Sequence, residues 1–106
     1  MIYKVELSAL SITDLRGIYE YIAFNLKVPE HARTQYERIE SKIFSLEKFP
    51  NRYKPYEDNP WNGHILRRVV VDKYIVFYYV ENNLVMVVRV IYCGRNIKEQ
   101  LSKHGL

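Results

Sequence analysis

Three apolar segments with very short links dominate the second half of this 106-residue chain. They cover residues 65–71, 74–80 and 84–91, and they are rich in β-branched and aromatic side chains, which favour strands. Two residues separate the first pair of segments and three separate the second, and links this short join antiparallel neighbours. The pattern therefore predicts a three-stranded antiparallel meander with the second segment in the middle.

Basic side chains lie at both ends of the predicted meander. They are Arg67, Arg68, Arg89 and Arg95. Residues 1–60 hold nine Lys/Arg and nine Asp/Glu, whereas residues 61–106 hold seven and three, so the net charge of +4 belongs to the sheet and the tail. A basic half of this kind favours an anionic partner, either a nucleic acid or an acidic protein, and an aid to solubility is the ordinary alternative.

The first half of the chain carries two apolar stripes with helical spacing. The first stripe comprises Ile12, Leu15, Tyr19, Ile22 and Leu26, and the second comprises Ala32, Tyr36, Ile39, Ile43 and Leu46. Ser8 or Ser11 is suited to cap the first helix, with Asp14 in its first turn, and Pro29 is suited to open the second. Matching stripes joined by a short link predict an antiparallel helical hairpin with both stripes in the core.

Shorter elements complete the predicted order. Residues 2–7 alternate as a strand, residues 51–64 form a long loop rich in Asn, Pro and aromatic side chains, and residues 97–103 predict a short C-terminal helix. The order is β-α-α-β-β-β with a final helix. It predicts one α+β domain over residues 1–106, a small antiparallel sheet with an N-terminal helical hairpin packed on one face.

Several classes of function find no support in the sequence. The three histidines are scattered and Cys93 is the single cysteine, so we expect neither a metal site nor an intrachain disulfide. The sequence contains no glycine-rich phosphate loop, and no cofactor is expected. The apolar runs are too short to span a membrane, and we expect a cytoplasmic protein with no membrane partner. Cys93 with His64 is a formal nucleophile and base, but a lone cysteine at a strand end is more often a small apolar residue.

The basic residues give the better candidate site. Because Arg67 and Arg68 are consecutive on a strand, they must face opposite sides of the sheet. We expect the following side chains to converge on one concave surface: Arg67, Arg68, Arg95, Lys98, His64 and Tyr92. Forked arginine hydrogen bonds stabilise phosphate and its transition state, and Tyr and His move protons or stack on bases. Strand-end arginines that are merely solvated or ion-paired are the ordinary alternative.

Five motifs follow one another along the chain. They are the pattern Ser8…Asp14-Leu15…Ile18-Tyr19…Tyr21-Ile22, a hairpin ending in Phe49-Pro50, LRRVVV at 66–71, YIVFYYV at 74–80 and VRVIYCGRN at 88–96. In this order they resemble the RelE/ParE superfamily of type II toxin–antitoxin toxins, over nearly the whole chain. The resemblance implies the fold predicted above and a small toxin that a cognate antitoxin wraps and holds inactive in a hetero-oligomer.

Two activities occur in that superfamily. RelE-like members are metal-independent enzymes that cut mRNA on the ribosome with a cluster of basic side chains, whereas ParE-like members poison DNA gyrase. For the first activity the resemblance implies a catalytic set of Arg67, Tyr92 and Arg95, with His64 as a further candidate. For either activity it implies a target-binding or antitoxin-binding set of Arg67, Arg68, Arg95 and Lys98.

One position separates the two branches. Enzymatic relatives place an arginine where this chain has Ile75, which leaves that corner without charge. The ending of the hairpin at residues 49–53 also looks ParE-like, whereas Arg95 occurs in both branches. We therefore expect a growth-inhibiting toxin that poisons DNA gyrase. A ribosome-dependent mRNA endonuclease is the alternative, and a non-toxic protein-binding module of the same fold is the second alternative.

Overall fold

The computed structural model of the protein describes residues 2–57 and 63–103. Its elements in chain order are β1 (Lys4–Leu7), α1 (Ala9–Glu20), a π-helical turn (Tyr21–Asn25), α2 (Pro29–Ser45), a 3-10 turn (Pro50–Arg52), β2 (Arg67–Val71), β3 (Tyr74–Glu81), β4 (Leu84–Tyr92) and α3 (Ile97–Lys103). The predicted α+β order is confirmed. Residues 58–62 of the predicted loop 51–64 lie outside the described residues.

The four strands form one sheet in the order β1-β4-β3-β2. The predicted antiparallel meander of β2, β3 and β4 is confirmed. The sheet as a whole is mixed rather than antiparallel throughout, because β1 pairs in parallel with β4, from Lys4 opposite Leu84 to Leu7 opposite Val87. The argument from short links fixes only strands that follow one another directly. β1 reaches β4 through the whole hairpin and two strands, and a connection of that length allows parallel pairing.

Left-handed residues make the two short links of the meander possible. Asp72 follows β2 with a φ of 56°, and Asn82 follows β3 with a φ of 55°. Asp and Asn accept this conformation more readily than other residues with a Cβ, and the two-residue hairpin turns require it. The meander is therefore fixed by local chemistry as well as by its apolar pattern.

The helical hairpin covers one face of the sheet, and its buried side chains form the main core. Leu15, Ile39 and Leu46 pack there against strand residues that include Val76 and Tyr78. The stripe of α2 is buried as predicted, apart from the partly buried Tyr36.

The stripe of α1 is buried only in its middle, so the prediction is wrong at both ends. Ile12 is 48% exposed and Leu26 is 53% exposed. The helix gives way to the π-helical turn after Glu20, where the N–H of Leu26 bonds the carbonyl of Tyr21. The wider turn ends the 3.6-residue period, so Leu26 no longer lies in line with the stripe.

The short helix α3 covers the opposite face of the sheet. Its Leu101 is fully buried in a second apolar cluster, together with Leu66, Ile75, Phe77, Val88 and Ile91. Both faces of the sheet are therefore covered over much of their area. Within the described ranges, no helix has the length and apolar character that crossing a membrane requires.

Candidate functional site

The basic residues predicted to converge lie at two different ends of the sheet. Arg67 begins β2 opposite Tyr78, which in turn lies opposite Val87 of β4. Arg95 follows the far end of β4, beyond Tyr92. The strand geometry separates the backbones of Arg67 and Arg95 by roughly 15 Å along the strands and about 10 Å across them. The single concave surface predicted from the sequence is therefore wrong, because the prediction did not account for the direction of each strand.

Arg67 and Arg68 face opposite sides of the sheet, as predicted. Arg67 lies on the hairpin side, where one terminal nitrogen donates to the carbonyl of Tyr53 at 2.7 Å and to that of Asn51 at 3.3 Å. Arg68 lies on the α3 side, with its guanidinium 5.6 Å from the centre of the Tyr56 ring. Arg67 thus holds the segment at residues 51–53 against the start of β2, which is a structural role.

The other predicted site residues are divided between the same two ends. His64 stacks on Tyr79 with ring centres 4.1 Å apart, at the Arg67 end. Tyr92, Arg95 and Lys98 are exposed at the other end, where the backbone N–H of Arg95 bonds the carbonyl of Tyr92 in a turn. The structure therefore brings Tyr92 and Arg95 together and keeps His64 and Arg67 away from them.

A groove of about 1000 Å³ lies at the Arg95 end, between the tip of the helical hairpin and the ends of β3 and β4. We call it the tip groove. Its lining includes Tyr21 and Leu26 from the hairpin tip, Tyr74 and Tyr92 from the strand ends, and Arg95. The tip groove joins residues far apart in the sequence.

Three tyrosines crowd the tip groove. The rings of Tyr74 and Tyr92 lie 5.8 Å apart. Burial raises the pKa of Tyr74 above its ordinary value, and the nearby hydroxyls of Tyr92 and Tyr21 raise it further. Tyr74 is therefore protonated at neutral pH, and the three tyrosines line an open space.

A buried ion pair that the sequence analysis missed forms one wall of this groove. Arg89 donates from Nε to one carboxylate oxygen of Asp14 at 2.7 Å and from Nη2 to the other at 3.0 Å. Arg89 also donates to the carbonyl of Gln100 in α3. Asp14 accepts the backbone N–H of Val90, in the part of β4 that extends beyond its pairing with β1. The pair joins α1, β4 and α3. The available signal was an arginine inside an apolar strand, because a buried charge needs a partner.

The sequence analysis placed Asp14 in the first turn of α1, which is wrong. The helix begins at Ala9 with Ser8 as its cap, and Ser8 accepts the N–H of Ser11 at 3.1 Å. Asp14 lies beyond that turn, on the side that faces β4. Its carboxylate therefore serves the strand and Arg89.

A second, mainly apolar groove of about 490 Å³ lies on the other side of α1. We call it the outer groove. Ile12 and Tyr19 of α1, Tyr36 and Phe44 of α2 and Leu7 of β1 line it. Ile12 and Phe44 are both about half exposed. A groove with this lining is suited to receive the apolar face of another polypeptide.

The structure separates the cations of the predicted catalytic set. A site for phosphoryl chemistry needs several cations aimed at one point, and here Arg67 and Arg95 are at separate ends. No group of three or more potential metal ligands comes together among residues 2–57 and 63–103. What the arrangement offers is two grooves lined with apolar and aromatic side chains, one of them bordered by exposed cations.

Comparison with known proteins places the sequence in a family. Residues 5–97 match the family model described as the ParE toxin of the type II toxin–antitoxin system parDE. No curated protein matches the sequence at a significant level.

Two solved structures share the fold. One is a chromosomal ParDE system from P. aeruginosa, with a TM-score of 0.71 and 16% identity over 86% of this chain and 96% of that chain. The other is an archaeal RelE–RelB complex from Pyrococcus horikoshii OT3, with a TM-score of 0.61 and 18% identity over 90% of this chain and 99% of that chain. At these identities the structures establish the fold alone, whereas the family model covers most of the sequence. The chain belongs to the ParE toxin family of type II toxin–antitoxin systems.

Proposed function

We propose that this toxin arrests growth by poisoning DNA gyrase and that a cognate antitoxin neutralises it in a hetero-oligomer. The observation that carries the choice of gyrase is the environment of Ile75. This side chain is 7% exposed and packs in the apolar cluster that contains Leu101 of α3. An mRNA-cleaving relative would need a cation at this position, and here the position is apolar and covered.

The distribution of the arginines supports the same choice. Arg67 is occupied by two backbone carbonyls, and Arg89 is occupied by Asp14 and Gln100. Arg95 is exposed at the opposite end of the sheet from Arg67. Since catalysis of RNA cleavage depends on several charges acting at one phosphate, this arrangement favours a toxin that acts by binding a protein complex.

The outer groove supports the proposed antitoxin. Ile12 and Phe44 present apolar surface to solvent beside the exposed edge of β1, and exposed apolar surface of this kind marks a protein-binding site. An amphipathic segment of the antitoxin fits such a groove with its apolar face inward. One structural neighbour is a ParDE toxin–antitoxin system and the other is a RelE–RelB complex, which supports a partner for this chain as well.

The experiment that tests the proposal uses purified toxin in two parallel assays. In the first, gyrase acts on relaxed plasmid with increasing toxin, and we expect lost supercoiling and plasmid linearised by trapped cleavage complexes. In the second, ribosomes translate a defined message with the same toxin, and we expect full-length message. Normal supercoiling at equimolar toxin would remove the gyrase proposal.

The second candidate function is the ribosome-dependent endonuclease, and one observation favours it. Tyr92 and Arg95 are adjacent and exposed in a single turn, as a general acid or base and a phosphate-binding cation would be. If this function is correct, the translated message is cut and Arg95→Ala abolishes the cut without lowering the melting temperature. Uncut message with wild-type toxin excludes it.

A further inference from the structure

The hairpin tip exposes three apolar side chains in a single turn. Tyr21, Phe24 and Leu26 are 54%, 69% and 53% exposed. They lie on or directly after the π-helical turn, which is closed by the bond from the N–H of Leu26 to the carbonyl of Tyr21. π-Helical turns inside helices occur frequently at functional sites, and a cluster of exposed apolar side chains marks an interaction surface.

The tip groove beside these side chains carries an unbalanced positive charge. Its lining includes two carboxylates, Asp14 and Asp72, and both are taken up by arginines, at 2.7 Å from Arg89 and 2.8 Å from Arg38. Arg95 and Lys73 also line the groove.

Neither Arg95 nor Lys73 forms an ion pair with any residue in the described ranges, 2–57 and 63–103. As far as the described residues go, the groove therefore presents two cations without an ion pair and tyrosine hydroxyl donors next to an apolar tip. The complementary surface is apolar at its centre and carries carboxylates at its border.

The balance of apolar and charged groups favours a protein over DNA as the occupant. Binding to a DNA backbone draws on many phosphate contacts from Lys and Arg, and among residues 2–57 and 63–103 two cations without an ion pair, Lys73 and Arg95, line the tip groove. Tyr and Arg beside exposed apolar residues are instead typical of the centres of protein–protein interfaces.

We propose that the toxin binds its target protein through the tip groove and the hairpin tip. The matching patch on the target is apolar at its centre and carries carboxylates at its border. This inference rests on the proposed function in that the target is a protein, and it names the surface that engages it. The outer groove, which we assign to the antitoxin, lies on the other side of α1, so the two surfaces can be altered separately.

Growth arrest on induction in a bacterium is the first readout, because it does not presuppose gyrase. We expect Phe24→Ser and Arg95→Glu each to raise the toxin level needed for arrest more than tenfold. Phe49→Ser and Arg33→Glu, at exposed positions that line neither groove, are the matched controls, and we expect them to arrest growth as the wild type does. Circular dichroism must show unchanged melting for all four variants, since each side chain is exposed.

A photocrosslink identifies the occupant directly. With p-benzoylphenylalanine in place of Phe24, we expect covalent capture of a gyrase subunit from a mixture of gyrase holoenzyme and plasmid. Capture of the plasmid, or full toxicity of Phe24→Ser and Arg95→Glu, would overturn the inference. Loss of toxicity in Phe24→Ser and Arg95→Glu together with weakened binding of the co-expressed antitoxin would assign the tip groove to the antitoxin and overturn the inference as well.

The outcomes separate this inference from the proposed function. If the tip variants lose toxicity while wild-type toxin leaves gyrase unaffected, the inference holds for another protein target and the gyrase proposal fails. If wild-type toxin poisons gyrase and the tip variants poison it equally well, the proposed function holds and the inference fails. A wild-type chain that does not arrest growth contradicts both.

Discussion

The Asp14–Arg89 ion pair allows a measurement of how burial sets the strength of a salt bridge in this fold. In the intact pair the Arg89 side chain is 7% exposed and that of Asp14 is 16% exposed. Arg89→Ala removes both of the donors that Arg89 gives to Asp14 and leaves the carboxylate with the N–H of Val90. Removing one member of a buried pair costs about 3–5 kcal/mol. A separate estimate of the same loss counts hydrogen bonds. The change deletes three charge-assisted ones, two to Asp14 and one to Gln100, and about 1.5 kcal/mol for each gives a similar total.

The chain contains a matched control for this change. Arg38 makes the same bidentate pair with Asp72, from Nε at 2.8 Å and from Nη2 at 2.9 Å to the two carboxylate oxygens, but on the surface. Because water and salt screen an exposed pair, Arg38→Ala should cost far less than Arg89→Ala.

Urea unfolding of wild type and both variants gives the free energy of unfolding. The expected loss for Arg89→Ala is a large share of the roughly 5–15 kcal/mol typical of a small domain, with an unchanged slope against urea. Asp14→Asn, which keeps an oxygen for Val90, provides a milder change if Arg89→Ala does not fold. Equal losses for Arg89→Ala and Arg38→Ala would refute the reasoning.

Three further predictions concern single positions. Tyr78→Phe removes the hydroxyl that donates to the carbonyl of Pro50 at 2.6 Å and should cost about 1–2 kcal/mol in urea unfolding, because a buried acceptor loses its partner. Burial raises the pKa of Tyr78 to about 12. Its stabilising contribution is therefore complete below about pH 10 and lost as the pH rises toward 12, and a constant difference between wild type and Tyr78→Phe over that range would contradict this. The hydrogen bond from Arg38 lowers the pKa of Asp72, so the excess melting temperature of wild type over Asp72→Asn should shrink as the pH falls below about 4 and should otherwise be insensitive to pH between 5 and 8. Asn82→Val forces a branched side chain into a φ of 55° and should cost about 1–2 kcal/mol in urea, whereas Asn82→Gly should be nearly neutral, and equal losses would show that the turn does not depend on its left-handed residue.

Local patterns predicted the elements well because the forces that form them act over a few residues. Pro29 opens α2, a two-residue link turns through Asp72, and the C-terminal helix covers residues 97–103, all as the sequence indicated. The second link is two residues rather than the predicted three, because β3 extends to Glu81. The pairing of β1 with β4 depends on a connection of more than seventy residues, and no local rule constrains it. The exposure of Leu26 follows from a π-helical turn, which the 3.6-residue stripe does not reveal.

The candidate site was predicted less well because it depends on strand direction and long-range pairing. Arg67 and Arg95 look equivalent in the sequence, as arginines at the ends of a basic run, yet the meander puts them at opposite ends of the sheet. Asp14 and Arg89 are 75 positions apart, and only the folded chain shows that they form a pair. The resemblance to the RelE/ParE superfamily supplied the fold and the toxin class, which the family match confirms.

The state of plasmid DNA in cells tests the central claim most directly. The toxin is induced in a bacterium that carries a supercoiled plasmid, the cells are lysed in detergent within one doubling time, and plasmid and message are recovered from the same culture. Poisoning of gyrase predicts linear plasmid with protein attached to its ends, alongside intact message. Intact supercoiled plasmid alongside message cut within its coding region would contradict the account.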